Sequence, residues 1–224
     1  MKRRKHICII IALFVVMCIA AMAAFILIRN RKTSPTRLPD LSEKEYEQFH
    51  SDVDMDNDGL DDQVDILQGV KDYINTKPVY KSQYYNRGYP DDGYGVCTDV
   101  VAFGLKAAGY DLMELVEKDI NENPDDYNIE KPDKNIDFRR VRNLKVFFKK
   151  HTQSLTLGIS DVEEWQGGDI VIFENHIGVV SDRRNKNGVP YVFHHYSAEQ
   201  KSYEEDILPT WTDIVGHYRW ILTE

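Results

Sequence analysis

Residues 168–195 read GDIVIFENHIGVVSDRRNKNGVPYVFHH, and they decide the fold. Three runs within them, GDIVIF (168–173), HIGVVSD (176–182) and VPYVFHH (189–195), are rich in Val, Ile, Phe and Tyr, which fit a pleated, half-buried surface. RRNKNG joins the last two runs as the turn of a hairpin. IVGHYRWIL (214–222) supplies one more strand. Upstream of residue 166 the apolar period is that of helices. CTDVVAFGLKAAG (97–109) sets Val100, Val101, Leu105 and Ala108 on one stripe and stops at Gly109, a helix-ending residue. Further helices are predicted around 111–121 and over 138–150, the second with Val141, Leu144, Phe147 and Phe148 on one side. Helices first and an antiparallel sheet after define an α+β domain, and there is no internal repeat.

The chain has 224 residues, 42% of them apolar, which suits one domain and a short appendage. The appendage is ICIIIALFVVMCIAAMAAFILI (7–28), an uncharged run of the length that crosses a bilayer, where roughly 20 apolar residues suffice. It predicts a transmembrane helix. Lys2, Arg3, Arg4 and Lys5 before it favour a cytoplasmic N-terminus with the remainder outside, although Arg29, Arg31, Lys32 and Arg37 weaken the asymmetry. The rival is a cleaved signal peptide, whose apolar core is expected to be shorter, roughly 7–15 residues. The expected organisation is a tail and single-pass anchor over 1–32, a linker TSPTRLPDL over 33–41, a helix–loop–helix over 42–76 opened by a Ser42/Glu45 capping box, and the main domain over 77–224. Residues 1–37 hold eight of the 28 basic residues and no acid, so the rest carries 20 basic against 37 acidic residues, a formal charge of −17. That charge argues against nucleic acid or another polyanion as a partner and suits divalent cations.

Cys8 and Cys18 lie inside the apolar run, leaving Cys97 alone in the main domain, where no disulfide can form. Cys97 heads the helix that starts CTDVV, and the free N–H groups and positive dipole end of a helix N-terminus lower a thiol pKa. Its own N–H suits an oxyanion hole, and Gly95 permits close backbone approach. The alternative is a small buried core residue. A cysteine nucleophile needs a base, normally His held by a third polar group. His176, opening a strand after GDIVIF, is the candidate; its alternative is a strand-edge residue.

The order of these pieces, GVCTD, GGDIVIF, HIGVV and VFHH, resembles that of the papain-like superfamily, in particular the NlpC-type cell-wall peptidases. Residues 66–220 resemble more closely the bacterial domain-of-unknown-function family 1287, through GVCTDVV, IDFRRVRNL, GDIV, HIGVVSDRR and GHYR. The resemblance implies a papain-like α+β fold, Cys97 as nucleophile, His176 as general base and His194 as the orienting residue. Strand alternation puts His194 and His195 on opposite faces, and a one-residue register shift exchanges them, so His195 stays as the alternative third residue. Cys before His argues against the permuted acyltransferase branch, and the CGSCW string and third-position Asn of papain are absent. Asp99 reads as a capping or dipole contact rather than a triad member. Tyr94, by the same resemblance, places a hydroxyl near the oxyanion, against ordinary loop packing. Arg139, Arg140 and Arg142 are candidates for a carboxylate clamp on a peptide, against internal salt bridging.

Asp54-Met-Asp56-Asn-Asp58-Gly59-Leu60-Asp61-Asp62-Gln-Val-Asp65 has carboxylates at positions 1, 3, 5, 9 and 12 of an EF-hand-like calcium loop, Gly at 6 and the Leu60 carbonyl at 7. It departs from the pattern in Asp for Glu at position 12 and in the acidic Asp61 at position 8. The expected cofactor is a structural Ca2+ held by Asp54, Asp56, Asp58, Leu60, Asp62 and Asp65. The expected function is a membrane-anchored cysteine hydrolase of a peptide or amide bond, with peptidoglycan as the substrate the resemblance implies. The alternatives are a non-catalytic, calcium-stabilised surface binding module and a thiol acyltransferase.

Overall fold

A computed structural model describes residues 13–23 and 33–222. The chain divides into two compact units, Met1–Lys32 and Thr33–Glu224. In the first, a helix (α1) covers 13–23. Among the described residues no helix is long and apolar enough to cross a membrane. The transmembrane anchor expected over 7–28, and the single-pass membrane placement read from it, are corrected accordingly; residues 7–12 and 24–28 lie outside the described residues.

The second unit is α+β. Its helices are α2 (Asp62–Asn75), α3 (Cys97–Ala107), α4 (Leu112–Glu122), the single turns α5 (Pro124–Tyr127) and α6 (Lys134–Asp137), and α7 (Val141–His151). A two-stranded parallel ribbon pairs β1 (Val79–Tyr80) with β2 (Tyr94–Gly95). The six-stranded sheet comprises β3 (Thr152–Ser154), β4 (Ile170–Phe173), β5 (Ile177–Arg184), β6 (Pro190–Phe193), β7 (Glu204–Glu205) and β8 (Ile214–Leu222), in the order β3-β8-β4-β5-β6-β7 with every pair antiparallel. The helix starts follow the sequence closely. Asp61 caps α2 by accepting from the N–H groups of Gln63 and Val64, and Asp111 caps α4 by accepting from Met113 and Glu114.

β4 reads as an unbroken apolar run because both of its faces are covered. Ile170 and Ile172 join a core formed with Ile66, Val70, Val101, Leu105, Leu144 and Phe148 of the helices. Val171 and Phe173 point the other way, into a second cluster with Trp165, Val180, Val192, Ile207 and Leu208.

Two expectations at the start of this unit are corrected. Residues 42–52 form no helix: the Ser42 hydroxyl instead closes a local turn, accepting from the Lys44 N–H and donating to the Lys44 carbonyl. Residues 33–41 are no free linker but dock on the sheet. Arg37 donates to Glu204 at 2.8 and 2.9 Å and to Asp182 at 2.5 Å, and the Leu41 N–H donates to the Arg184 carbonyl at 2.8 Å. Beyond them, Tyr46 lies under the Arg184 guanidinium at 4.0 Å and Phe49 under Arg219 at 4.3 Å. Separate aromatic anchors of this kind hold the chain extended, which a helix cannot satisfy.

Candidate active site

Cys97 is the first residue of α3. No side chain of the N-cap residue, Val96, serves the helix; the Val96 N–H is taken instead by Asp99 Oδ2 at 2.8 Å, from the third helical position. Asp99 is fully buried and held by Arg139, whose Nε and Nη2 donate to its two oxygens at 2.7 and 2.9 Å. The remaining Arg139 arm donates to the Gln83 carbonyl at 2.8 Å, and its guanidinium lies over the Tyr85 ring at 4.9 Å. Asp99 is therefore a capping and ion-pair residue. Arg139 is committed to it, which removes Arg139 as a carboxylate clamp. Arg140 is half-exposed and pairs with Asp137 at 3.5 Å.

Packing of α3 against β5 brings the Cys97 sulfur to the backbone N–H of Ile177, the residue after His176. The balance on the thiol differs from the lowered pKa expected of a helix N-terminus. Burial pushes Cys97 up to about 12, the Asp99 carboxylate adds to the rise, and the N–H groups of Ile177, Thr98 and Cys97 itself act the other way. Desolvation outweighs the helix end because the sulfur is packed against β5, although Cys97 as a residue keeps partial exposure.

His176 is buried, and its Nε2 lies 2.9 Å from Nδ1 of His194. Burial, then the neighbouring His194 and His195, lower His176 to about 3, so at neutral pH the ring is uncharged. With Nε2 committed to His194, Nδ1 is the nitrogen left for chemistry. His194 is fully buried, and its Nε2 is 3.3 Å from Glu205 Oε2 on β7, close enough for an ion pair but without the geometry of a hydrogen bond. Gly178 makes this approach possible: a Cβ there would lie 2.6 Å from Val192 Cγ1, 2.7 Å from the Phe193 carbonyl oxygen and 3.3 Å from His194 Cβ. The Gly of the HIG string is a packing requirement.

His195 faces the other way. It is fully buried between Tyr80 and Tyr203, ring centroids at 5.3 and 5.1 Å, with no hydrogen-bond partner for either nitrogen among the described residues. Burial lowers it to about 4. The structure thus brings His194, and not His195, into hydrogen-bonding contact with His176.

Tyr94 stands on β2 with the Lys81 ammonium 4.5 Å above its ring, lining a cavity of about 600 Å³ with Phe103 and Lys106. Neither Cys97 nor His176 lines that cavity. Tyr80 of β1 pairs with Gly95, two residues before Cys97, and the pKa of its hydroxyl is raised by burial and then by Cys97. Sequence reasoning missed Tyr80 and Glu205, because β1 and β7 are two-residue strands that carry no periodicity. Tyr196 and Trp211 complete the surround of His176, ring centroids at 5.4 and 5.2 Å. Tyr196 is 55% exposed, so this aromatic wall is open to a ligand.

The acidic loop sits elsewhere. Asp54, Asp56 and Asp58 bring one carboxylate oxygen each within 4.8 Å of one another. Asp62 is turned inward, accepting from the Met55 N–H at 2.9 Å and the Tyr110 hydroxyl at 2.5 Å. Burial, then the carboxylates of Asp58, Asp56, Asp54 and Asp62, push Asp65 up to about 6.

Residues 67–220 match the model of a domain of unknown function, DUF1287, and the chain belongs to that family. It is 35% identical over 170 residues to the uncharacterized protein YijF of Escherichia coli (strain K12), covering 70% of this chain and 81% of that one. No solved structure matches.

Proposed function

We propose that the chain is a cysteine hydrolase of a peptide or amide bond, with Cys97 as nucleophile, His176 as general base and His194 as the residue that orients it. The observation that carries this reading is the 2.9 Å contact of His176 Nε2 with His194 Nδ1, beside a sulfur that faces the next backbone N–H along β5. The likeness to NlpC-type cell-wall peptidases adds the substrate class, a peptidoglycan peptide.

With the thiol raised and the imidazole lowered, the resting pair is neutral, so the proton moves during attack rather than before it. As the sulfur bonds to the carbonyl carbon, its proton passes to His176 Nδ1, and the oxygen gains negative charge against the Cys97 N–H. His176 then protonates the leaving nitrogen as the C–N bond breaks, leaving a thioester. Water attacks the thioester, gives its proton through His176 to the departing sulfur, and releases a carboxylic acid. His194 keeps Nδ1 of His176 aimed throughout, since Nε2 stays committed to it.

The test incubates the full chain with purified peptidoglycan and reads released fragments by mass spectrometry. Wild type yields new amine and carboxyl ends, and Cys97→Ala yields none. Retained turnover in Cys97→Ala refutes the reading.

A further inference from the structure

The acidic loop takes no part in the thiol chemistry, yet one of its members is electrostatically uncompensated. Asp65, in the first turn of α2, is 6% exposed, and its Oδ2 is buried with no hydrogen-bond partner. In the same loop, Asp54, Asp56 and Asp58 bring one carboxylate oxygen each within 4.8 Å of one another. A buried carboxylate oxygen among like charges costs free energy that only a cation or a proton removes. The loop also rests on the end of α3, where the Asp56 Cβ and N lie 3.1 and 3.5 Å from the Cβ position of Gly109. The last carbonyls of a helix carry the negative end of its dipole, so this neighbourhood attracts a cation further.

We propose that residues 54–65 bind one calcium ion through side-chain oxygens of Asp54, Asp56, Asp58 and Asp65 and the main-chain carbonyl of Leu60. Asp62, read from the sequence as a ligand, gives one oxygen to the Met55 N–H and the other to the Tyr110 hydroxyl outside the loop, and is left out of the ligand set; the Asp54 oxygens accept only from the loop's own Asp58 and Gly59 N–H groups. Asp61, the acidic residue at the unusual eighth position, is explained as the N-cap of α2. An oxygen-only donor set on a loop, with one ligand from the following helix, suits the six to eight long bonds of calcium rather than the compact octahedron of magnesium. The ion ties the loop to the start of α2, and the loop in turn meets the end of α3, whose other end carries Cys97.

The full chain, stripped with EDTA, is titrated with CaCl2 alone by calorimetry and unfolded thermally with and without the salt. One site with a Kd of order 10⁻⁴ M is expected, and 5 mM calcium then raises Tm by roughly 5–9 °C. The same concentration of MgCl2 gives less than about a third of that shift. Asp65→Asn removes a like charge, so it holds or raises the metal-free Tm while shrinking the calcium shift. A merely structural Asp65 cannot produce that opposition of signs. Asp56→Asn, at an exposed side chain, keeps the fold and also loses most of the shift. Absence of heat and of any Tm change at 5 mM calcium, a magnesium shift equal to that of calcium, or an undiminished shift in Asp56→Asn overturns the proposal. None of these readouts depends on hydrolysis, so failure of the metal site and failure of the thiol chemistry are separately visible.

Discussion

Replacing Arg139 with Met is the sharpest test of how the start of α3 is held. The substitution keeps most of the side-chain volume and removes the charge facing Asp99, a side chain with no solvent exposure. Two charge-assisted hydrogen bonds are lost, together with the bond to the Gln83 carbonyl and the stack on Tyr85. Asp99 keeps only the Val96 N–H. Breaking a buried ion pair from one side costs about 3–5 kcal/mol, because the partner charge is stranded. At about 2–4 °C per kcal/mol for a unit of this size, Tm falls by roughly 6–20 °C. Urea unfolding monitored by far-UV circular dichroism reads the loss as a lower midpoint at unchanged slope. The double variant Asp99→Asn/Arg139→Met removes the stranded charge, retains an acceptor for Val96, and recovers more than half of the loss. A single-variant cost under about 1 kcal/mol, with intact folding, refutes the reasoning and returns Arg139 to the list of residues free to bind a ligand.

Acid lability follows from the two lowered histidines. Both fold with pKa values below the ordinary 6.5, about 3 for His176 and about 4 for His195, so between those values and 6.5 the unfolded chain binds more protons. Stability is full above pH 6.5 and falls as pH drops, by roughly 2 kcal/mol for each histidine at pH 5; chemical denaturation across pH 7 to 5 measures it. His195→Phe, at a ring with two unpartnered nitrogens, is expected to hold stability at pH 7 and to remove its share of the acid loss; an unchanged slope would falsify its buried neutral state. Gly178→Ala forces a Cβ against Val192 and the Phe193 carbonyl and costs about 1–3 kcal/mol, readable as a lower urea midpoint. Because burial raises the Cys97 thiol, its alkylation by iodoacetamide is slow at pH 7 and climbs steadily to pH 10. A plateau below pH 8 would instead mark a preformed thiolate.

The strings that identify the family are largely scaffold. Asp169 of GDIV is fully buried and accepts from Arg219 at 2.8 and 2.9 Å and from Gln63 at 3.0 Å, with His217 at 3.1 Å; His217 and Arg219 belong to GHYR. Arg184 of HIGVVSDRR donates to the carbonyls of Val162, Trp165 and Gly188. Arg139 of IDFRRVRNL holds Asp99 of GVCTDVV. Two buried carboxylates, Asp169 and Asp99, and three buried guanidiniums, Arg219, Arg184 and Arg139, each satisfied by distant backbone or side chains, explain why charged residues stand inside otherwise apolar runs.

The order of helices and strands, Cys97 at a helix start, and His176 at the head of a strand were legible in the sequence, because period, capping and turn chemistry are local. The face on which His194 lies was legible only as one of two choices, since strand alternation is exact but register is not local. Tertiary structure alone decided the rest. It selected His194 through Gly178, placed Tyr80 and Glu205 from strands too short to show a period, and committed Arg139 to Asp99. It reversed the expected shift of the Cys97 thiol and docked residues 33–49 on the sheet in place of a linker and a helix. Each of these depends on which groups burial brings together across more than a dozen residues, and no local pattern of side chains records that.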